Sequence, residues 1–148
     1  SGDGEEVGRR PFGIDSLAAP RLAGWAAGAS PLEPVTEAAR AAAIDLGSIM
    51  DGSRETDDGR VLRWRLTDPS TDRDEGTLPF LIDWGDSPHP ASSLDHSCAL
   101  DVLRIRHPEA DRIRPFLRPL YPRVRVEAGE KPVLSAAIET PLGRVVLE

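Results

Sequence analysis

The apolar positions of this chain fall into short segments separated by Gly, Pro, Asp and Ser. Leu22-Ala23-Gly24-Trp25-Ala26 is an apolar segment that reads as a strand. Ser30-Pro31-Leu32-Glu33 then opens a helix: Ser at the N-cap, Pro at N1 and Glu at N3 satisfy the capping-box pattern. Val35, Ala38, Ala39, Ala42 and Leu46 recur at helical spacing, and Gly47 is placed to end the helix in a left-handed conformation. Ser48 to Thr56 carries a short strand through Ile49 and Met50, and Asp57-Asp58-Gly59 is a turn signal. Val61 to Leu66 alternates strictly, with Leu62, Trp64 and Leu66 on one face and Arg63 and Arg65 on the other.

Pro69 to Gly76 is a polar loop. The run Leu78-Pro79-Phe80-Leu81-Ile82 is apolar, short and bounded by turn signals, which predicts a buried strand. It runs into Asp83, Trp84, Gly85 and then His89, held between Pro88 and Pro90; Pro88 to Ser97 links it to a second half. Ala99 to Arg106 reads as a strand and Pro108 to Leu120 as a helix with Ile113, Phe116, Leu117 and Leu120 on one face. Pro115 must either kink that helix or mark its true start. Val124 to Val126, Val133 to Ile138 and Val145 to Leu147 are three further strands, the last two joined by a Pro141-Leu142-Gly143 turn. Both halves therefore read strand, helix, strand, strand, strand, an α+β pattern in which two curved half-sheets can form one cleft. The expected organisation is an N-terminal tail over residues 1–20, a first module over 21–90 and a second over 91–148.

A chain of 148 residues fits one domain, or two small modules that share a core. The net charge of -7, with Lys131 the single lysine, argues against a nucleic-acid partner, because phosphate neutralisation needs clustered Lys and Arg. One cysteine, Cys98, excludes an intrachain disulfide and a Cys-based zinc site, so a reducing, cytoplasmic setting is expected. No apolar run approaches the roughly 18 residues of a membrane span. The opening Ser1-Gly2-Asp3-Gly4-Glu5-Glu6 is acidic and lacks the apolar stretch of a signal peptide.

The candidate chemistry gathers in the first half. Arg63 and Arg65 project from one strand face and would hold an anion by charge-assisted hydrogen bonds if that face lines the cleft; otherwise they are a solvated outer face. Arg54, in a Gly-Ser-Arg stretch, divides between pocket and surface in the same way. Asp83 shares the face of Leu81, and a carboxylate there must be paired, metal-bound or used as a turn cap, which makes it a candidate base or ligand. His89 is oriented by its flanking prolines and could shuttle a proton; His96 and His107 are weaker candidates. Trp25, Trp64 and Trp84 all belong to first-half segments, as core or as a stacking wall in which Trp25 and Trp84 contact a ligand. Cys98 has no evident His partner and is expected to pack rather than react.

Leu22-Ala23-Gly24-Trp25-Ala26, Gly52-Ser53-Arg54, Asp58-Gly59-Arg60-Val61-Leu62-Arg63-Trp64 and Pro79-Phe80-Leu81-Ile82-Asp83-Trp84-Gly85 with His89-Pro90 resemble the glyoxalase-like domain proteins of the vicinal oxygen chelate superfamily. His107-Pro108 and Thr140-Pro141-Leu142-Gly143 extend that resemblance, which runs over about residues 11 to 148. It implies paired βαβββ modules forming a curved mixed sheet around a cleft. It does not imply one activity, because the superfamily includes lyases, dioxygenases, resistance enzymes and metal-free binding proteins. The leading expectation is a small-molecule cleft serving a lyase or isomerase that acts on an oxygenated anionic substrate, with a non-enzymatic binding or sequestering module as the alternative and a homodimer as one possible assembly. Metal-dependent members place a His on each module's first strand and a Glu on its last. Here the first-strand positions are Leu22 and Leu100, which cannot ligate, and the last strands offer Asp83 and Glu148. A divalent metal thus lacks its usual His ligands, with Asp83 its one candidate in the first half. Relatives often carry a further His-containing stretch ahead of this part, which leaves room for a missing or partner-supplied module.

Overall fold

The structure is a computed structural model that describes residues 11–148, with side chains from residue 14 onward. The acidic opening Ser1 to Glu6 and the side chain of Phe12, an expected anchor of the N-terminal tail, lie outside the described residues.

Among the described residues, eight strands form two four-stranded mixed sheets, accompanied by two α-helices. The first contains β1 (Ala26–Gly28), β2 (Ile49–Glu55), β3 (Val61–Thr67) and β4 (Phe80–Asp83), in the order β1-β4-β3-β2, with α1 (Glu33–Ala41) between β1 and β2. The second contains β5 (Ala99–His107), β6 (Val124–Ala128), β7 (Val133–Thr140) and β8 (Gly143–Leu147), in the order β6-β5-β7-β8, with α2 (Ala110–Leu120) between β5 and β6. The element order repeats as expected, but the winding does not. In the first sheet the last strand, β4, lies inside, parallel to β1 and antiparallel to β3. In the second, β5 is flanked by β6 and β7, and the last strand, β8, is left on the outer edge. Two similar hydrophobic patterns are thus compatible with two strand orders, because period and length specify a strand but not its neighbour.

One core serves both sheets: Leu32, Ala39, Leu46 and Leu81 from the first half pack with Ile105, Ile113, Leu117 and Leu134 from the second. The face of α2 is as expected, with Ile113, Phe116 and Leu117 buried. That helix runs through Pro115 and Pro119 rather than starting at either. Both prolines are exposed, so the carbonyls they leave without an intrahelical donor can be hydrated.

The ends of α1 differ from expectation for local reasons. Ser30 does not cap it: the Ser30 hydroxyl donates to Asp83 Oδ2 at 3.0 Å, and Leu32 stands at the N-cap without a side-chain bond. At the other end Ala43, at φ 57°, takes the left-handed position that Gly47 was expected to fill. The Ile44 amide donates back to the Ala39 carbonyl at 2.8 Å, which closes the helix several residues early. Arg112 of α2 completes that end by donating to the carbonyls of Ala42 and Ala43 at 3.0 and 2.9 Å.

The polar loop between β3 and β4 is tucked into the junction of the two sheets. Asp74, Glu75 and Gly76 all have positive φ, and a Cβ at Gly76 would stand 2.1 Å from the Ala23 carbonyl oxygen, so only glycine fits there. Arg73 is buried, with Nη1 donating to the Pro69 carbonyl at 2.8 Å, its guanidinium 5.7 Å from the Phe80 ring centroid, and its pKa pushed down by desolvation. His107, 2% exposed at the end of β5, bonds Asp74 Oδ2 through Nε2 at 2.9 Å and accepts the Glu109 amide on Nδ1 at 3.0 Å. These bonds tie the loop of the first sheet to the first turn of α2.

Candidate functional site

In the register of β2, β3 and β4, Asp51 lies opposite Arg65, Ser53 opposite Arg63, and Arg65 opposite Asp83. Residues directly opposite share a face, so these five side chains form one polar surface at the end of the sheet beyond Thr67 and Leu81, which are fully buried. After Asp83 the chain leaves the sheet and returns at Ser87, whose Oγ accepts the Arg63 amide at 3.0 Å. The segment from Trp84 to Pro88 thereby walls a cavity of about 650 Å³ whose lining includes Asp51, Arg63, Arg65, Asp83 and Asp86.

The two arginines are not equivalent. Arg65 Nη2 donates to Glu33 Oε1 at 2.6 Å, and Asp51 stands 3.9 Å from Arg65 Nε. The hydrogen bond with Arg65 holds the Glu33 carboxyl below its usual range, and the same bond raises Arg65. Arg63 makes no ion pair among the described residues, so it alone presents an uncommitted guanidinium to the cavity. Asp83 is engaged at both oxygens: Oδ1 accepts the Gly85 amide at 2.8 Å and Oδ2 accepts the Ser30 hydroxyl. It caps the Asp-Trp-Gly turn while facing the cavity.

Trp64 and Trp84 lie against each other, ring centroids 5.2 Å apart at 52°, and both line the cavity. Trp64 also lies over Gly52, where an added Cβ would meet the indole within 2.3 Å. Trp84 Nε1 is shielded from solvent and has no acceptor among the described residues. The His89 ring meets Trp84 edge-on at 5.6 Å, but it is not part of the cavity lining. Its Nδ1 accepts the Ala91 amide at 3.0 Å and caps the short 3-10 turn Pro90–Ser93.

Of the residues singled out in the sequence, the cavity gathers Arg63, Arg65, Asp83 and Trp84 and does not include Arg54, Trp25 or His89. Arg54 pairs with Leu62 in the register, on the face that also carries Trp64, and is not part of the cavity lining. Trp25 precedes β1, donates to the Thr77 carbonyl at 2.8 Å and lines a separate cavity of about 260 Å³ with Phe80 and Ile14. Cys98 is exposed rather than packed. Sequence reasoning passed over Glu33, Asp51 and Ser87. Glu33 was read only as a capping residue, and an acidic residue two positions from Ser53 on an adjoining strand is the one signal that pointed to Asp51.

A metal centre of the usual superfamily kind does not fit the donors present. Leu22 and Leu100 offer no ligating atom, and Glu148 lines a different cavity from Asp83 because β8 is an edge strand whereas β4 is internal. Among the described residues no three His, Cys, Asp or Glu side chains converge. No described helix is long and apolar enough to cross a membrane.

The chain matches the glyoxalase-like domain family across residues 2–121, a stretch that takes in the whole first sheet, β5 and α2 and stops before β6. No curated protein and no solved structure matches it. With most of its length under that match and the expected α+β order of elements in place, the chain belongs to the glyoxalase-like domain family, within the vicinal oxygen chelate superfamily.

Proposed function

We propose that this domain binds a small oxygenated anion in the cavity over β2, β3 and β4, with Arg63 as the anchoring group. The observation that carries this reading is the division between the two arginines: Glu33 occupies Arg65, and Arg63 lines the same cavity with no carboxylate partner among the described residues. A guanidinium poised in this way takes a carboxylate or enolate through two parallel hydrogen bonds. The surrounding Asp51, Asp83 and Asp86 disfavour a ligand that is only anionic and favour one that also carries hydroxyl or amine donors. The Trp64–Trp84 pair supplies an apolar wall. Screening 2-hydroxy, 2-oxo and 2-amino carboxylates by thermal shift tests this reading. Saturable stabilisation by hydroxylated or aminated carboxylates supports it, and a flat response across all classes contradicts it.

A lyase or isomerase is the second reading, and Asp83 is the observation in its favour. Its carboxylate lies opposite Arg65 and lines the cavity that Arg63 also lines, and a ligand hydroxyl can displace the Ser30 hydroxyl to bring an acidic C–H within reach of Oδ2. His89, behind Trp84, is the remaining proton carrier, and reaching the ligand requires movement of the Trp84 segment. Incorporation of solvent deuterium at the carbon next to the carboxylate, abolished in Asp83→Asn, distinguishes chemistry from binding alone.

A further inference from the structure

A second cavity, of about 500 Å³, opens where the two halves of the chain meet. Its lining comes from separate stretches: Arg21 and Leu22 ahead of β1, Glu75 in the β3–β4 loop, Lys131 to Leu134 at the turn into β7, and Glu148 just past β8. Backbone contacts hold these stretches together. The Leu22 amide donates to the Glu148 carbonyl at 3.0 Å, and Gly76, next to Glu75, packs so closely on the Ala23 carbonyl that no side chain fits there. The charges around the cavity do not all find partners. Arg21 Nη1 lies 3.0 Å from Glu75 Oε2, and Glu148 Oε1 lies 3.5 Å from Arg106 Nη2, so each carboxylate already has a cation. Lys131, the single lysine of the chain, is exposed and makes no ion pair among the described residues. It stands beside Pro132, Val133 and the buried Leu134, which with Leu22 make up the apolar part of the lining.

We propose that this cavity binds an apolar monocarboxylate of medium chain length, with its carboxylate on the Lys131 ammonium and its chain along Leu22, Pro132, Val133 and Leu134. A volume of this size lies in the range that encloses small organic ligands. The uncompensated ammonium supplies one charge-assisted contact, and the apolar strip rewards chain length, by up to about fourfold in affinity per buried methylene. Glu75 and Glu148 line the same cavity and repel a second negative charge, so a dicarboxylate is disfavoured. The site differs in kind from the cavity over β2, β3 and β4. There Asp51, Asp83 and Asp86 share the lining with Arg63 and favour a ligand with hydroxyl or amine donors, whereas the residues that follow Lys131 are apolar. Because both halves of the chain contribute to the lining, the bound ligand stabilises the fold as a whole.

Calorimetric titration of the whole chain with hexanoate, octanoate, adipate and hexylamine tests the proposal. The same titrations are made on Lys131→Met, which keeps an aliphatic stem at an exposed position, on Lys131→Arg, and on Arg63→Ala. The expected result is saturable binding of octanoate, tighter than that of hexanoate, with adipate and hexylamine giving no saturable signal. Octanoate affinity is expected to fall about tenfold in Lys131→Met, to return in Lys131→Arg and to stay unchanged in Arg63→Ala. The absence of saturable octanoate binding overturns the proposal, as does equal affinity in the wild type and Lys131→Met. Binding lost in Arg63→Ala places the carboxylate in the other cavity and overturns it as well, while a failure of hydroxylated and aminated carboxylates to bind there leaves this result untouched.

Discussion

Arg65 Nη2 donates to Glu33 Oε1 at 2.6 Å, so the arginine in the middle of β3 is anchored to the first residue of α1 while it lines the cavity. This bond lowers the Glu33 pKa from its ordinary 4.5. A carboxyl whose folded pKa lies below its unfolded value stabilises the fold above the unfolded pKa, and that stability is lost as pH falls through the folded one. Urea unfolding at pH values stepped down from neutrality is therefore expected to show a shallower acid decline for Glu33→Gln than for the wild type. The same substitution frees Arg65 and is expected to raise anion affinity at neutral pH. Identical acid limbs would show that the pair does not couple to folding.

His107 is the buried link between the sheets, with both ring nitrogens engaged by Asp74 and the Glu109 amide. His107→Leu removes the donor and the acceptor together and is expected to cost about 2–3 kcal/mol in urea unfolding. Asp74→Asn keeps an acceptor and suits the positive φ at that position, so its cost should stay under about 1 kcal/mol. Equal losses for the two variants would remove the hydrogen-bond explanation.

Most of the elements were legible because their patterns are unambiguous. The alternation of Leu62, Trp64 and Leu66 against Arg63 and Arg65 is observed as read, and so is the face of Ile113, Phe116 and Leu117. What the pattern could not carry was long-range choice. Ser30 is an excellent N-cap by local rules, yet its hydroxyl is taken by Asp83, distant in sequence. Pro69 to Gly76 reads as a polar loop, but Arg73 and Gly76 are buried and Asp74 reaches His107. The cavity was half visible for the same reason. Arg63, Arg65 and Asp83 declare themselves by strand parity, whereas the commitment of Arg65 to Glu33 depends on where α1 lands, and the second sheet's winding depends on pairings that both orders satisfy equally well in sequence.

Ala43 ends α1 at φ 57°, a conformation that costs an L-residue roughly 1 kcal/mol and glycine almost nothing. Because the side chain is exposed, Ala43→Gly loses little packing and is expected to stabilise the fold by about 0.5–1 kcal/mol. A lower melting temperature for this variant would place the helix end elsewhere.

The most direct test of the anion site compares Arg63→Ala and Arg65→Ala, titrated with the tightest carboxylate from the thermal-shift series and followed by calorimetry and by the fluorescence of Trp64 and Trp84. Loss of one charge-assisted, two-pronged contact corresponds to roughly tenfold to hundredfold in affinity. The account predicts that loss for Arg63→Ala and a smaller one for Arg65→Ala, whose guanidinium is already held by Glu33. Affinity unchanged in Arg63→Ala, or lost only in Arg65→Ala, would contradict it.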